Sequence, residues 1–105
     1  MARDHNYFVY LLASGRNETL YCGVTGNLPG RIHIHREDLM DGFTRRYGVH
    51  RLVWFEWTDR IEGAILREKQ IKKWNRARKI RLVEESNPQW EDLYPKLFAS
   101  PPMSL

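Results

Sequence analysis

The run Tyr7-Phe8-Val9-Tyr10-Leu11-Leu12, followed by the break Ser14-Gly15-Arg16-Asn17-Glu18 and the second run Thr19-Leu20-Tyr21-Cys22-Gly23-Val24, decides the fold. The first run is continuously apolar, short and rich in aromatic and branched side chains, as a strand covered on both faces is. It therefore belongs at the centre of a sheet. The polar, glycine-containing break lets the chain reverse, and the second run reads as an antiparallel neighbour closing a hairpin.

Downstream, Thr25-Gly26-Asn27 forms a turn that offers Asn27 as a helix cap, and Leu28, Ile32, His35 and Leu39 then recur at helical spacing through about Met40. Pro29 and Gly30 are tolerated there, because backbone N–H groups in an opening turn lack internal partners. Residues 42–50 read as a polar loop containing Arg45 and Arg46. Arg51 to Trp57 is a third strand by β-propensity. With Thr58 or Asp59 as cap, a second helix runs from Ile61 to about Trp74, its inward face expected to carry Ile61, Ala64, Ile65 and Ile71. A third spans Arg76 to Glu85, Ile80 and Val83 inward, and Asn87-Pro88 ends it. Trp90, Leu93, Tyr94, Leu97 and Phe98 carry enough apolar mass to dock on the domain. The order is β-β-α-β-α-α, an α+β domain with a small antiparallel sheet over residues 1–98, followed by a flexible tail, 99–105.

A chain of 105 residues suits one domain, and 42% hydrophobic residues are enough for a packed core. The net charge of +4 favours polyanionic partners, since each phosphate neutralised by Lys or Arg releases condensed counterions. Cys22 is the single cysteine, which excludes an intrachain disulfide and a multi-thiolate metal site and suggests a cytoplasmic address. There is neither a run of roughly 20 apolar residues nor a signal-like apolar start.

Chemistry-bearing residues gather in three places. Between Arg60 and Arg81, nine basic residues, among them Lys69, Lys72, Lys73 and Arg76, face two acids, Glu62 and Glu68. Such a rim can follow a phosphate backbone with Trp74 stacking on a base, or simply be a solvated face. Glu68 falls within the apolar stripe of its helix. A carboxylate turned inward is normally paired, protonated or bound to a metal, so it is either a metal ligand or half of an ion pair with Arg31 or Lys72. Arg31 and His35 are one turn apart and reach the same spot, His35 inward and His33 outward. Tyr10 and Tyr21 can approach across the hairpin, although tyrosine is also an ordinary strand residue.

The residues Val9-Tyr10, Leu20-Tyr21-Cys22-Gly23-Val24-Thr25, Arg31 and His35 resemble the GIY-YIG endonuclease superfamily, in particular its small stand-alone UPF0213 group. The likeness continues through Gly42-Phe43-Thr44, the helix from Glu62 to Trp74, and Asn87-Pro88-Gln89-Trp90-Glu91-Asp92-Leu93. It covers roughly residues 7–94. Phe8-Val9-Tyr10 departs from Gly-Ile-Tyr and Cys22 replaces the middle isoleucine of the second signature, but both tyrosines are kept, and strand alternation turns Cys22 away from Tyr21.

The resemblance implies a three-stranded antiparallel sheet flanked by helices and hydrolysis of a DNA phosphodiester by in-line attack of water. It implies Tyr10, Tyr21, Arg31, His35 and Glu68 as catalytic residues, with Glu68 holding one Mg²⁺ or Mn²⁺ ion. Tyr10 would help activate the water, its phenol lowered in pKa by Arg31 or the metal, while Tyr21 positions phosphate. Arg31 would stabilise charge on the transferring phosphate and His35 assist by hydrogen bonding. Thr25, Thr44 and Asn75 are secondary candidates for phosphate contact, Arg45 and Arg46 for DNA binding, and Asn87 for a structural cap. Two other classes compete: a non-catalytic nucleic-acid-binding module, which would have no cutting to lose on Glu68→Ala, and an interaction partner docking through residues 90–98, which requires that tail to be free of its own domain.

Overall fold

A computed structural model of the chain describes residues 5–15, 19–37 and 48–98. Its elements are β1 (Tyr7–Ala13), β2 (Leu20–Thr25), α1 (Leu28–Arg36), β3 (Arg51–Thr58), α2 (Ile61–Lys73), α3 (Arg76–Ser86) and a 3-10 helix (Tyr94–Phe98). The sheet is antiparallel with strand order β2-β1-β3. The doubly covered strand is thus the central one, as its unbroken apolar run requires: Val9, Leu11 and Ala13 face one side, Tyr10 and Leu12 the other, and all five are buried.

The two faces carry different helices. On one, α1 lays Leu28 and Ile32 over Tyr10, Leu12 and Leu52, with Leu93, Tyr94 and Leu97 closing the end. On the other, α2 and α3 cover Val9, Leu11, Cys22, Val53 and Trp54 with Ala64, Ile71 and Val83. A register shift between Leu11 and Leu12 places Trp54 opposite Leu11 but Leu52 opposite Leu12. The extra residue, Val53, lets β3 feed both cores.

Caps and turns account for the boundaries. The Asn27 side chain accepts from the Gly30 N–H at 3.2 Å, as the sequence suggests, and Asn75 does the same for Arg78 at the start of α3. The cap residue of α2 is Arg60, without a side-chain bond of its own, while the Thr58 hydroxyl accepts the Arg60 N–H one step earlier. At the end of α3, Asn87 is buried. Its amide donates to the carbonyls of Val53 and Glu91, and its carbonyl accepts the Glu91 N–H.

The expected inward face of α2 needs correction. Ala64 and Ile71 are buried, but Ile61 is 37% and Ile65 41% exposed. At 100° per residue Ile65 lies roughly a third of a turn away from the line joining Ala64 and Ile71, whereas Arg67 and Glu68 straddle that line. Ala64 and Ile71 face the sheet, and Ile61 and Ile65 are left on the flank of the helix.

The tail docks, which removes the premise of the protein-docking alternative. Trp90 is fully buried in the α2–α3 core with its indole N–H on the Glu84 carboxylate, and the Leu93 N–H bonds to the Leu52 carbonyl. Phe98, at 60% exposure, is the exception. The proposed loop residues Thr44, Arg45 and Arg46 and the tail 99–105 lie outside the described residues. Among the described residues no helix is long and apolar enough to cross a membrane.

Candidate active site

Three of the expected site residues meet on the α1 face. The cross-strand pairs Tyr10↔Gly23 and Leu12↔Tyr21 set both tyrosines on one side of the hairpin, and α1 lowers His35 between them. The Tyr10 hydroxyl lies 3.2 Å from His35 Nε2. Ring centroids are 6.3 Å apart for Tyr10 and Tyr21, and 5.5 Å for Tyr21 and His35. Arg31, one turn before His35, stands beside the Tyr10 phenol close enough to act on its proton affinity.

Gly23 makes the cluster possible. A Cβ built there would fall 2.5 Å from Cζ and from the hydroxyl oxygen of Tyr10, so the phenol lies directly on the β2 backbone. Gly23 was not among the expected site residues. A glycine inside a strand is the signal that another group approaches the backbone closely, and it stands in the sequence between Cys22 and Val24.

Burial governs the proton chemistry. It pushes the Tyr10 phenol well above its ordinary value, Tyr21 adding to the effect, and the opposing pull of Arg31 is the smaller influence. The sequence expectation that Arg31 would make Tyr10 a readier base is thereby reversed. Burial likewise lowers His35 below the usual imidazole value, with further lowering from Arg31 and His50. A protonated phenol beside a neutral imidazole makes theirs a bond between neutral partners, with the hydroxyl donating to Nε2 in the tautomer that carries its proton on Nδ1. Tyr10 is fully buried whereas Tyr21 is partly exposed, so Tyr21 is the phenol that meets solvent.

Glu68 arrives by the other face. It packs from α2 beside Cys22, whose thiol is raised to about 11 by burial first and by the Glu68 charge second. Cys22 belongs to the α2–α3 core and Tyr21 to the α1 core, so successive residues of β2 point to opposite sides, as expected. The Glu68 side chain is 19% exposed, and its carboxylate pairs with Lys72 at 3.3 Å, the ion-pair partner anticipated as one of two. The structure thus brings Tyr10, Tyr21, Arg31 and His35 together and sets Glu68 against the same strand from the opposite side.

The remaining candidates fall outside this cluster. Thr25 is buried and its hydroxyl accepts the Asn27 N–H, which gives it a turn-forming role. Asn75 and Asn87 serve as caps. Lys69, Lys72, Lys73 and Arg76 are exposed on the α2–α3 side. Trp74, anticipated as a stacking surface, already has the Arg78 guanidinium 4.1 Å and the Arg67 guanidinium 5.3 Å from its ring centroid. His33 is exposed, as its position on α1 requires.

Comparison with known proteins agrees with this arrangement. Residues 6–81 match the model of the GIY-YIG catalytic domain. A UPF0213 protein of Clostridium perfringens is 35% identical over 85 residues, covering 81% of this chain and 90% of its own length. Another, of Natronomonas pharaonis, is 39% identical over 85 residues, covering 81% and 96%. The solution structure of a UPF0213 protein from Bacillus halodurans superposes with a TM-score of 0.53 at 28% identity, spanning 90% of this chain and 99% of that one. Two signature tyrosines on neighbouring strands and an arginine and histidine one helical turn apart therefore sit in a known framework, and the chain belongs to the GIY-YIG family, an endonuclease superfamily, within its UPF0213 group.

Proposed function

We propose that the protein is a metal-dependent DNA endonuclease that hydrolyses phosphodiester bonds. The observation that carries this reading is the buried Tyr10–His35 bond, set beside Arg31 and roofed by the partly exposed Tyr21. A structural core would have no need of a histidine in such company, since an apolar side chain of similar size fills the same space without a polar atom to satisfy.

In this mechanism Tyr21 orients the water that attacks phosphorus in line, and Arg31 balances the charge growing on the non-bridging oxygens. The neutral His35 ring, held by Tyr10, packs against Tyr21 and fixes the phenol that meets the water, whose proton is released to solvent as the oxygen bonds to phosphorus and the leaving oxygen departs. Because β2 lies at the edge of the sheet, a phosphate against its outer side is open to groups from both faces, Tyr21 from one and Glu68 from the other.

Glu68 is the carboxylate we assign to the ion, with water and phosphate oxygens completing its shell, and among the described residues no group of three or more His, Cys, Asp or Glu side chains gathers. That donor set suits a hard divalent cation such as Mg²⁺ or Mn²⁺, which keeps much of its hydration, and Lys72, the exposed partner of Glu68, can swing away to admit it. Once bound, the ion would neutralise charge on the phosphate and the leaving oxygen.

Labelled single-stranded, duplex and forked DNA, incubated with the protein and Mg²⁺, Mn²⁺ or EDTA, tests the proposal. Cleavage that requires the metal and disappears in Glu68→Ala, while that variant still binds DNA, is the expected result. Failure to cut any substrate with either metal would overturn it in favour of a binding module.

A further inference from the structure

The sheet face that carries the tyrosines continues past α1 into uncovered aromatic surface. Cross-strand pairing sets Trp57 opposite Phe8 and Phe55 opposite Tyr10, so Phe8, Phe55 and Trp57 lie on the same side as Tyr10 and next to it. Phe55 is 36% and Trp57 55% exposed. These side chains are not loosely arranged. The Trp57 indole N–H donates to the Asn6 side-chain oxygen at 2.7 Å, and the Phe8 and Phe55 rings meet edge to face with centroids 6.1 Å apart.

We infer that Phe55 and Trp57 form a stacking platform for unpaired bases of the nucleic-acid strand whose phosphate occupies the tyrosine site. Every base has a π-face, so aromatic side chains beside a cationic phosphate site bind a single strand without reading its sequence. Here the platform borders a site with an arginine, in a chain of net charge +4, which complements a polyanion better than it does an apolar protein surface. A base paired within a duplex keeps its faces against its neighbours and cannot use the platform. Because β1 separates the platform on β3 from the β2 edge, the bases it takes lie a few nucleotides from the scissile phosphate, and the strand cut is one unpaired over that stretch, as in a single strand or a fork.

The inference rests on the nuclease reading of the same face, and metal-free binding separates the two. A fluorescein-labelled oligothymidylate, an abasic strand of equal length and a duplex are titrated by anisotropy in EDTA against the full chain, Trp57→Ala and Trp57→Phe. Stacking predicts that Trp57→Ala weakens oligothymidylate binding about 10- to 100-fold, that Trp57→Phe restores most of it, and that duplex and abasic binding hardly change. Equal weakening of all three ligands, or of none, would overturn the platform even if metal-dependent cutting is observed. Base-dependent binding in a protein that cuts nothing would uphold the platform and overturn the nuclease. Sedimentation adds one more outcome: a wild-type dimer that Trp57→Ala converts to monomer would show that a second copy covers this face and would also overturn the inference.

Discussion

At the scale of single residues, what distinguishes this site is how little free space surrounds the phenol of Tyr10. Its ring rests on Gly23 and its hydroxyl on His35. Gly23→Ala must push the phenol or the β2 backbone aside. The expected outcome is a loss of about 1–3 kcal/mol in stability by thermal melting. A fall of about 100-fold in cleavage rate should accompany it, since a displacement near 1 Å at a reacting centre has that effect. Tyr10→Phe probes the bond alone. The phenyl ring keeps the packing but leaves Nε2 buried without its donor, which costs about 1–3 kcal/mol. Because the phenol positions His35, catalysis should drop about 100-fold or more while DNA affinity by anisotropy stays near wild type.

At the scale of elements, the join between α3 and β3 depends on Asn87. Its three side-chain bonds tie the end of the helix to the Val53 carbonyl and to Glu91. Asn87→Ala should lower the stability read from urea denaturation by about 3 kcal/mol, roughly 1 kcal/mol per bond, with no change in the metal dependence of cleavage. The sequence foreshadowed the strands and helices well, because Tyr7–Leu12 has the run of a central strand and Asn27 and Asn87 are cap residues in the right places, whereas Asn75, read as a phosphate contact, proves to be a cap as well. It misjudged α2. Ile61 and Ile65 look inward by composition, but the orientation of a helix is fixed by what it packs against, and Ala64, Glu68 and Ile71 won the contact with the sheet. The proton affinity of Tyr10 was likewise hidden in the sequence, for Arg31 is visible as a neighbour while the depth of burial that outweighs it emerges only from packing. Which sheet face each site residue approaches depends on the covering helices, and this is why the sequence does not show that Glu68 reaches β2 from the side opposite the tyrosines.

For the molecule as a whole, acid should act through His35. Its folded pKa lies below the ordinary imidazole value, so the native state favours the neutral ring and the unfolded chain binds the proton more readily. Stability contributed by the neutral ring is then complete above about pH 6.5 and declines as pH falls below it, toward the lower folded value. Melting curves at pH 7.5, 6.5 and 5.5 should show a progressive loss that His35→Gln reduces, and cleavage should fade over the same range. A flat melting temperature across these values would contradict a neutral, buried His35 in the folded state. Beyond titration, the three-layer arrangement supplies a built-in gauge of its own integrity. Cys22 is the only thiol in the chain and is sealed under α2 with 7% of its surface accessible. A thiol-modifying dye can reach it once the helix lifts from the sheet, so labelling should run far slower than for an unfolded chain and should accelerate with urea. The protein therefore carries a native clock for helix detachment, readable without introducing any label site.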